Sequence, residues 1–141
     1  MLSCRNDPCI PDDAFLYRRI IPKWFVANED GTKRISSAAF KDGNGELSVN
    51  VASLTTPRRV LQGRPDDRLA QLQARIPRSL KLNVMMDVKP GDPSHAVICP
   101  EASKSQARRM AAGATLVDLA RRWSWPKRLY LRAKGWLVRR S

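Results

Sequence analysis

A chain of 141 residues is long enough for one domain with its own core, and its formal net charge of +13 predicts an anionic partner. No run approaches the roughly 20 apolar residues of a membrane-spanning helix, and residues 1–13 lack the apolar stretch of a secretory signal. We therefore expect a cytoplasmic protein, whose three cysteines would be reduced thiols.

Extended segments and turns dominate the first part of the chain. Residues 14–21 are rich in aromatic and β-branched side chains and stop at Pro22, which predicts a strand. Residues 34–40 form a second extended segment, and residues 46–51 alternate apolar and polar side chains as a half-buried strand does. A glycine-containing turn joins these two segments, so we predict that they form a hairpin.

The middle of the chain carries the pattern of a helix. One helical turn is expected near residues 58–61. A longer helix is predicted from Pro65, because Leu69, Leu72 and Ile76 form one apolar stripe, and it is expected to end before Pro77.

The last part of the chain is predicted to hold two strands and then helices. Residues 80–88 alternate strictly, and residues 95–99 form a short strand between prolines, as at a sheet edge. Ser103 and Gln106 match a capping box, which predicts a helix over residues 104–123, and Pro126 is placed to begin a second, short one.

These elements together predict an α+β fold. We expect a small, mostly antiparallel sheet with one middle helix and C-terminal helices. Residues 1–123 would form a single α+β domain, and residues 124–141 a basic, aromatic C-terminal arm.

Four short motifs are similar to those of a family of short bacterial proteins that has no established activity. They are Leu-Tyr-Arg-Arg-Ile at 16–20, Ser-Ser-Ala-Ala-Phe at 36–40, Leu-Ser-Val at 47–49 and Asp-Pro-Ser-His-Ala at 92–96. The resemblance covers about residues 13–112, leaves the arm outside and implies no function.

A second resemblance is to the folds of NAD-using ADP-ribosyltransferases and RES-type proteins. It rests on Tyr17 and Arg18 in a first strand, followed by the pair Ser36 and Ser37 before an aromatic residue. In those folds an early arginine holds the dinucleotide. The chain departs from them in having no glutamate at a matching later position. The resemblance implies an alternative catalytic set, completed by the only histidine: Tyr17, Arg18, Ser36 and His95.

Cys4, Cys9, His95 and Cys99 have the composition of a zinc site, but their spacing argues against one. If residues 95–99 form a straight strand, its ends stand about 13 Å apart, too far to share an ion that needs ligands at about 2.0–2.3 Å. We predict no metal and no cofactor.

The C-terminal part carries the strongest functional signal. Residues 102–141 hold eleven Lys/Arg, one acid and three of the four tryptophans. Cationic side chains there would contact phosphates, and aromatic rings would stack on unpaired bases. The predicted nucleic-acid-binding residues are Arg121, Arg122, Trp123, Trp125, Lys127, Arg128, Tyr130, Arg132, Lys134, Trp136, Arg139 and Arg140.

We therefore predict a non-enzymatic protein that binds nucleic acid, RNA or single-stranded, or that serves as a subunit of a nucleoprotein complex. Two alternatives to nucleic acid share the same chemistry. An amphipathic, basic, tryptophan-containing segment also suits an anionic membrane surface, or an acidic groove on a partner protein.

Overall fold

The computed structural model describes residues 3–41 and 43–119. Eight strands run through them: β1 (Phe15–Ile20), β2 (Phe25–Ala27), β3 (Lys33–Ile35), β4 (Leu47–Val51), β5 (Arg68–Gln73), β6 (Asn83–Met86), β7 (His95–Cys99) and β8 (Thr115–Leu116). The α-helices there are α1 (Pro57–Val60), α2 (Arg75–Ser79) and α3 (Lys104–Gly113), and short 3-10 helices span Pro22–Trp24, Ser37–Phe40 and Ala52–Leu54.

Six of the strands form one sheet in the order β6-β7-β4-β1-β5-β8, and β2 pairs with β3 in a separate hairpin. Every pairing between these strands is antiparallel. The predicted α+β fold with a mostly antiparallel sheet is confirmed.

The main core lies on one face of the sheet, which α3 and the Ser37–Phe40 helix cover. Alternate residues of the central strands point into it, and Phe40 and Met110 are fully buried from the covering helices. Burying each large apolar side chain contributes roughly 1.5–3 kcal/mol. The strand members of this core include Leu16, Ile20, Val49, Val51, Leu72, Val84 and Ile98.

The opposite face of the sheet carries two smaller apolar clusters. Tyr17, Leu69 and Val117 belong to the first, and Met85 and Val97 belong to the second. The sheet surface between these clusters is polar, and this gap holds the site described below.

Other parts of the chain cover both edges of the sheet. On β6, Val84 donates its N–H to Asn6 Oδ1 (3.0 Å) and accepts from the Asp7 N–H (2.9 Å). Asp7 Oδ2 then accepts from the Met86 N–H (3.3 Å). The two-residue strand β8 lies on β5 at the other edge. Unpaired backbone groups of edge strands invite aggregation, and these contacts leave few of them open.

The helix predicted from Pro65 is wrong. That segment contains β5, which pairs along its whole length with β1. Leu69 and Leu72 are buried on opposite faces of the sheet. Because a central strand is covered on both faces, its apolar residues need not alternate, and the spacing of leucines imitated a helix.

The predicted hairpin is also wrong. β4 pairs with β1 and β7, and β3 pairs with β2. The extended segment at residues 34–40 shortens to β3, because the Ser36 side chain accepts from the Ala38 N–H and caps the Ser37–Phe40 helix. Likewise, Pro77 does not stop a helix but lies inside α2.

The capping box at Ser103 and Gln106 is present, but the helix ends at Gly113 instead of reaching Trp123. The chain then turns into β8, whose pairing with β5 ends the helix early. The strand at residues 95–99 is confirmed, although it lies between β6 and β4 and not at an edge. The second helix predicted from Pro126 lies outside the described residues.

The expectation of reduced thiols is wrong for two of the three cysteines. Cys4 and Cys99 form a disulfide that attaches the N-terminal segment to the end of β7, while Cys9 is a free, exposed thiol. None of the described helices has the length and apolar character that a membrane span requires.

The hydrogen bonds of the Asp7 carboxylate make the stability of the protein depend on pH. Hydrogen bonding by the thiol and the backbone N–H of Cys9 lowers the pKa of Asp7, and the N–H of Met86 adds to this. A carboxyl whose pKa is lowered by folding stabilises the folded protein at pH values above its unfolded pKa, near 3.9. This contribution is lost as the pH falls through its pKa in the folded protein.

We therefore expect Asp7→Asn to destabilise the protein at neutral pH and to weaken the loss of stability in acid. The measurement is urea unfolding at neutral pH and below pH 3, with Asp13→Asn as the matched control because Asp13 is exposed and its carboxylate makes no described hydrogen bond. An equal effect of Asp7→Asn at both pH values would contradict this role.

Candidate functional site

A row of polar residues crosses the sheet on the face opposite the main core. Tyr17 pairs with Gln71 on one side and with Asn50 on the other. Asn50 pairs with His95, whose carbonyl accepts from the N–H of Asp87 (2.9 Å) just after β6. Directly paired residues place their side chains on the same face, so these five form one continuous line.

A cleft of about 660 Å³ opens above this row. Its floor comes from β1, β4 and β7, and its rim comes from α1, the segment after it, Trp24 and the turn before β7. Its volume falls within the range of small-molecule sites. The residues that line it are Tyr17, Arg18, Arg19, Trp24, Ser48, Asn50, Thr55, Arg59, Val60, Gln62, Gly91, Asp92 and His95.

Asp87 fixes the orientation of the His95 ring. His95 Nδ1 lies 2.7 Å from the backbone oxygen of Asp87 and 3.4 Å from its Oδ2. An oxygen acceptor at this distance assigns the proton to Nδ1 and leaves Nε2 as the basic nitrogen. Nε2 has no partner among the residues that the structure describes, so His95 presents a proton acceptor in the cleft.

The turn before β7 brings Asp92 to the cleft. Gly91, at φ +76°, takes the left-handed conformation that this turn requires. Asn50 Nδ2 donates to Asp92 Oδ2 (3.1 Å) and Ser94 Oγ (2.9 Å), and Ser94 Oγ donates to Asp92 Oδ1 (2.7 Å). Burial disfavours the charged form of Asp92, but the hydrogen bonds from Ser94 and Asn50 and the nearby His95 outweigh it and lower its pKa.

Arg18 holds β1 and β4 together where their pairing ends. The last paired residues are Tyr17 and Asn50. Beyond them, Arg18 Nε donates to the Ala39 carbonyl (2.8 Å) and Nη1 donates to the Ser48 carbonyl (3.0 Å). The guanidinium also lies 5.2 Å from the centre of the Trp24 ring. Arg18 therefore links β1 to β4 and also lines the cleft.

Two further guanidinium groups stand at the rim. Arg19 Nε lies 3.0 Å from Asp67 Oδ2, but the N–H does not point at the oxygen, so the pair is ionic without a hydrogen bond. Arg59 is exposed on α1, and within the described part of the chain its guanidinium has no carboxylate partner. The rim therefore carries positive charge that the described residues only partly neutralise.

The structure brings together three of the four residues in the alternative catalytic set. Tyr17, Arg18 and His95 line the same cleft. Ser36 does not, because it caps the Ser37–Phe40 helix and lines a different cavity with Ser37 and Arg108.

Asn50, Asp87, Arg59 and Asp92 were not predicted from the sequence. The polar side of the alternating strand at residues 46–51 was the available signal for Asn50.

Three of the four residues weighed as a zinc set have other partners. Cys4 is bonded to Cys99, and His95 Nδ1 faces Asp87. The described residues contain no group of three or more His, Cys, Asp or Glu arranged to hold a metal ion.

The last described residues of the chain lie near residues that line the cleft. Leu119, the last described residue, packs against the cluster that contains Tyr17 and Leu61, as Val60 also does. Tyr17 and Val60 also line the cleft. The twelve residues predicted to bind nucleic acid, from Arg121 to Arg140, lie outside the described residues.

No known protein family matches the chain, and neither does any curated protein or solved structure.

Proposed function

We propose that the chain is a nucleic-acid-binding protein that binds RNA or another single-stranded nucleic acid through its C-terminal segment, as an accessory protein or as a subunit of a nucleoprotein complex. The observation that carries this proposal is the charge distribution. Residues 120–141 hold eight Lys/Arg, no acid and three tryptophans, and in sequence they follow Leu119, which packs against the cluster that contains the cleft residue Tyr17.

The physical case rests on two additive effects. Each Lys or Arg that neutralises a phosphate releases a counterion, which gives affinity without sequence preference. Each aromatic ring that stacks on an unpaired base adds roughly 1–3 kcal/mol. Unpaired bases are available in single strands and RNA loops, so this combination favours such targets over duplex DNA.

The test uses the full-length chain with Lys127, Arg128, Arg132 and Lys134 replaced by Gln. If these four side chains contact phosphates, affinity for a single-stranded RNA should fall about 100-fold or more at low salt, and the slope of log K against log salt should become shallower by about 3. Fluorescence anisotropy of a labelled oligonucleotide over a salt series measures both.

A matched control removes the same charge from the described domain. The control replaces four exposed residues that do not line the cleft, Lys33, Arg64, Lys104 and Arg109, with Gln. It removes the same charge as the test variant, but from a different part of the chain. Equal losses in the two variants would contradict a specific role for the C-terminal segment.

The same proteins distinguish the other anionic targets. Wild-type binding to vesicles of acidic lipid, with no binding to RNA, would replace the proposal with peripheral membrane attachment. Binding to neither RNA nor vesicles would favour the remaining alternative, in which the segment binds an acidic groove on a partner protein.

A second candidate function is an enzyme that acts in the cleft. The specific observation is that Tyr17, Arg18 and His95 meet there. The NAD-using site suggested by the resemblance also needs Ser36, which lies elsewhere, and an arginine free to hold a dinucleotide, whereas Arg18 is bonded to two carbonyls. The acid–base chemistry of the cleft is therefore the better supported part of this candidate.

A further inference from the structure

We infer that the cleft above the polar row is a general acid–base site that cleaves RNA phosphodiester bonds, with His95 as the base and Tyr17 as the acid. The choice of RNA rests on the proposed function, whereas the acid–base assignment rests on the geometry of the row alone.

His95 has the arrangement of a positioned general base. Asp87 holds Nδ1 through both its backbone oxygen and its carboxylate, and the carboxylate also pairs with Lys89 Nζ at 3.1 Å. The ring is therefore fixed in one tautomer, with Nε2 available to take a proton. Asp87 touches no substrate in this scheme and is a positioning residue.

Tyr17 lies on the other side of the row. It is separated from His95 by Asn50, that is by two strand spacings, or about 10 Å between backbones. In-line displacement at phosphorus places the attacking and leaving oxygens on opposite sides. A phosphate between Tyr17 and His95 would meet an acid on one side and a base on the other.

The charges around the cleft favour an anion. Arg59 is exposed at the rim, and Arg19 faces a single carboxylate, Asp67. The acid that faces the cleft, Asp92, already accepts hydrogen bonds from Asn50 and Ser94. The guanidinium groups at the rim would therefore attract the negative charge of a phosphodiester.

The proposed reaction needs only the RNA itself. Nε2 of His95 takes the proton of a ribose 2′-hydroxyl, and the 2′-oxygen attacks phosphorus. The bond from phosphorus to the 5′-oxygen breaks, and that oxygen takes the proton of the Tyr17 hydroxyl. The products are a 2′,3′-cyclic phosphate and a 5′-hydroxyl. Proton transfer from imidazolium to tyrosinate, through solvent, restores the starting state.

The test measures cleavage of a short fluorogenic oligoribonucleotide and of its all-deoxy copy by the full-length protein. Cleavage of the RNA alone, leaving a 2′,3′-cyclic phosphate, is expected. His95→Gln should lower kcat about 100-fold or more, within the range for a general base. Tyr17→Phe should also lower kcat while circular dichroism stays unchanged.

Two variants separate positioning from binding. Asp87→Asn should lower kcat about tenfold with KM nearly unchanged, because the backbone oxygen still holds Nδ1. Arg59→Gln should raise KM, and Arg64→Gln, an exposed arginine outside the cleft, is its matched control. Because Arg59 is exposed, its replacement does not threaten folding.

His95→Gln purified in the same way carries the same contaminating nucleases as the wild type. Equal rates for these two proteins, cleavage of the deoxy copy, or consumption of NAD without RNA cleavage would overturn the inference.

Binding of the deoxy copy is measured on the same samples. Binding without cleavage would contradict this inference and would agree with the proposed function. Undiminished cleavage by the variant with Gln at Lys127, Arg128, Arg132 and Lys134 would contradict only the proposed function.

Discussion

Replacing Arg18 with Ala is expected to lower the free energy of unfolding by about 2–4 kcal/mol, because it removes two charge-assisted hydrogen bonds and leaves the carbonyls of Ala39 and Ser48 without their donor. Arg18→Lys should recover little of this loss, since one ammonium cannot reproduce the paired Nε and Nη1 donors. Urea unfolding measures both.

Arg68→Lys is the matched control. Arg68 is exposed at the start of β5, so its replacement should change stability by less than about 0.5 kcal/mol. If Arg18→Ala proves as stable as the wild type, Arg18 serves the cleft and not the junction of β1 and β4.

Replacing Cys4 with Ser is expected to lower the free energy of unfolding by about 2–4 kcal/mol under oxidising conditions. The Cys4–Cys99 disulfide joins residues 95 positions apart, and a cross-link over so long a loop restricts the unfolded chain strongly. Reductant should produce the same loss in the wild type and none in Cys4→Ser.

Cys9→Ser is the control, because Cys9 is a free, exposed thiol whose loss leaves the cross-link intact. Peptide mapping without reductant would identify the Cys4–Cys99 pair directly. A wild-type protein whose unfolding is unaffected by reductant would show that this bond does not contribute to stability.

Local patterns predicted the elements whose residues alternate on a half-covered sheet. β4 was predicted from the alternation of Leu47, Val49 and Val51 with polar residues. The α3 start was predicted from the capping box at Ser103, because a cap is a contact between neighbours in sequence.

β5 was missed because its identity depends on a partner strand. Leu69 and Ala70 are both buried, on opposite faces, since β1 and β8 enclose β5 and apolar groups cover both sides. No local periodicity records this arrangement, so the packing overrode the helical spacing.

The candidate site was predictable only in part for the same reason. His95 was singled out as the only histidine and Tyr17 through the resemblance to NAD-using folds, but nothing in the sequence indicates that β4 lies between them. Asp87 becomes the neighbour of His95 only through the pairing of β6 with β7. Arg59 reaches the rim because α1 packs beside β1, a contact between segments distant in sequence.

The polar row and the rim of the cleft differ in how easily they can change. Strand register fixes four members of the row, Gln71, Tyr17, Asn50 and His95, and a shift of one residue in one of their strands would turn that side chain toward the apolar core. Arg59 stands on α1 and Gln62 in the loop after it, where exchange disturbs no strand pairing. Substitutions at these rim positions should therefore disturb the fold less than substitutions in the row, so redesign of the cleft should begin at the rim.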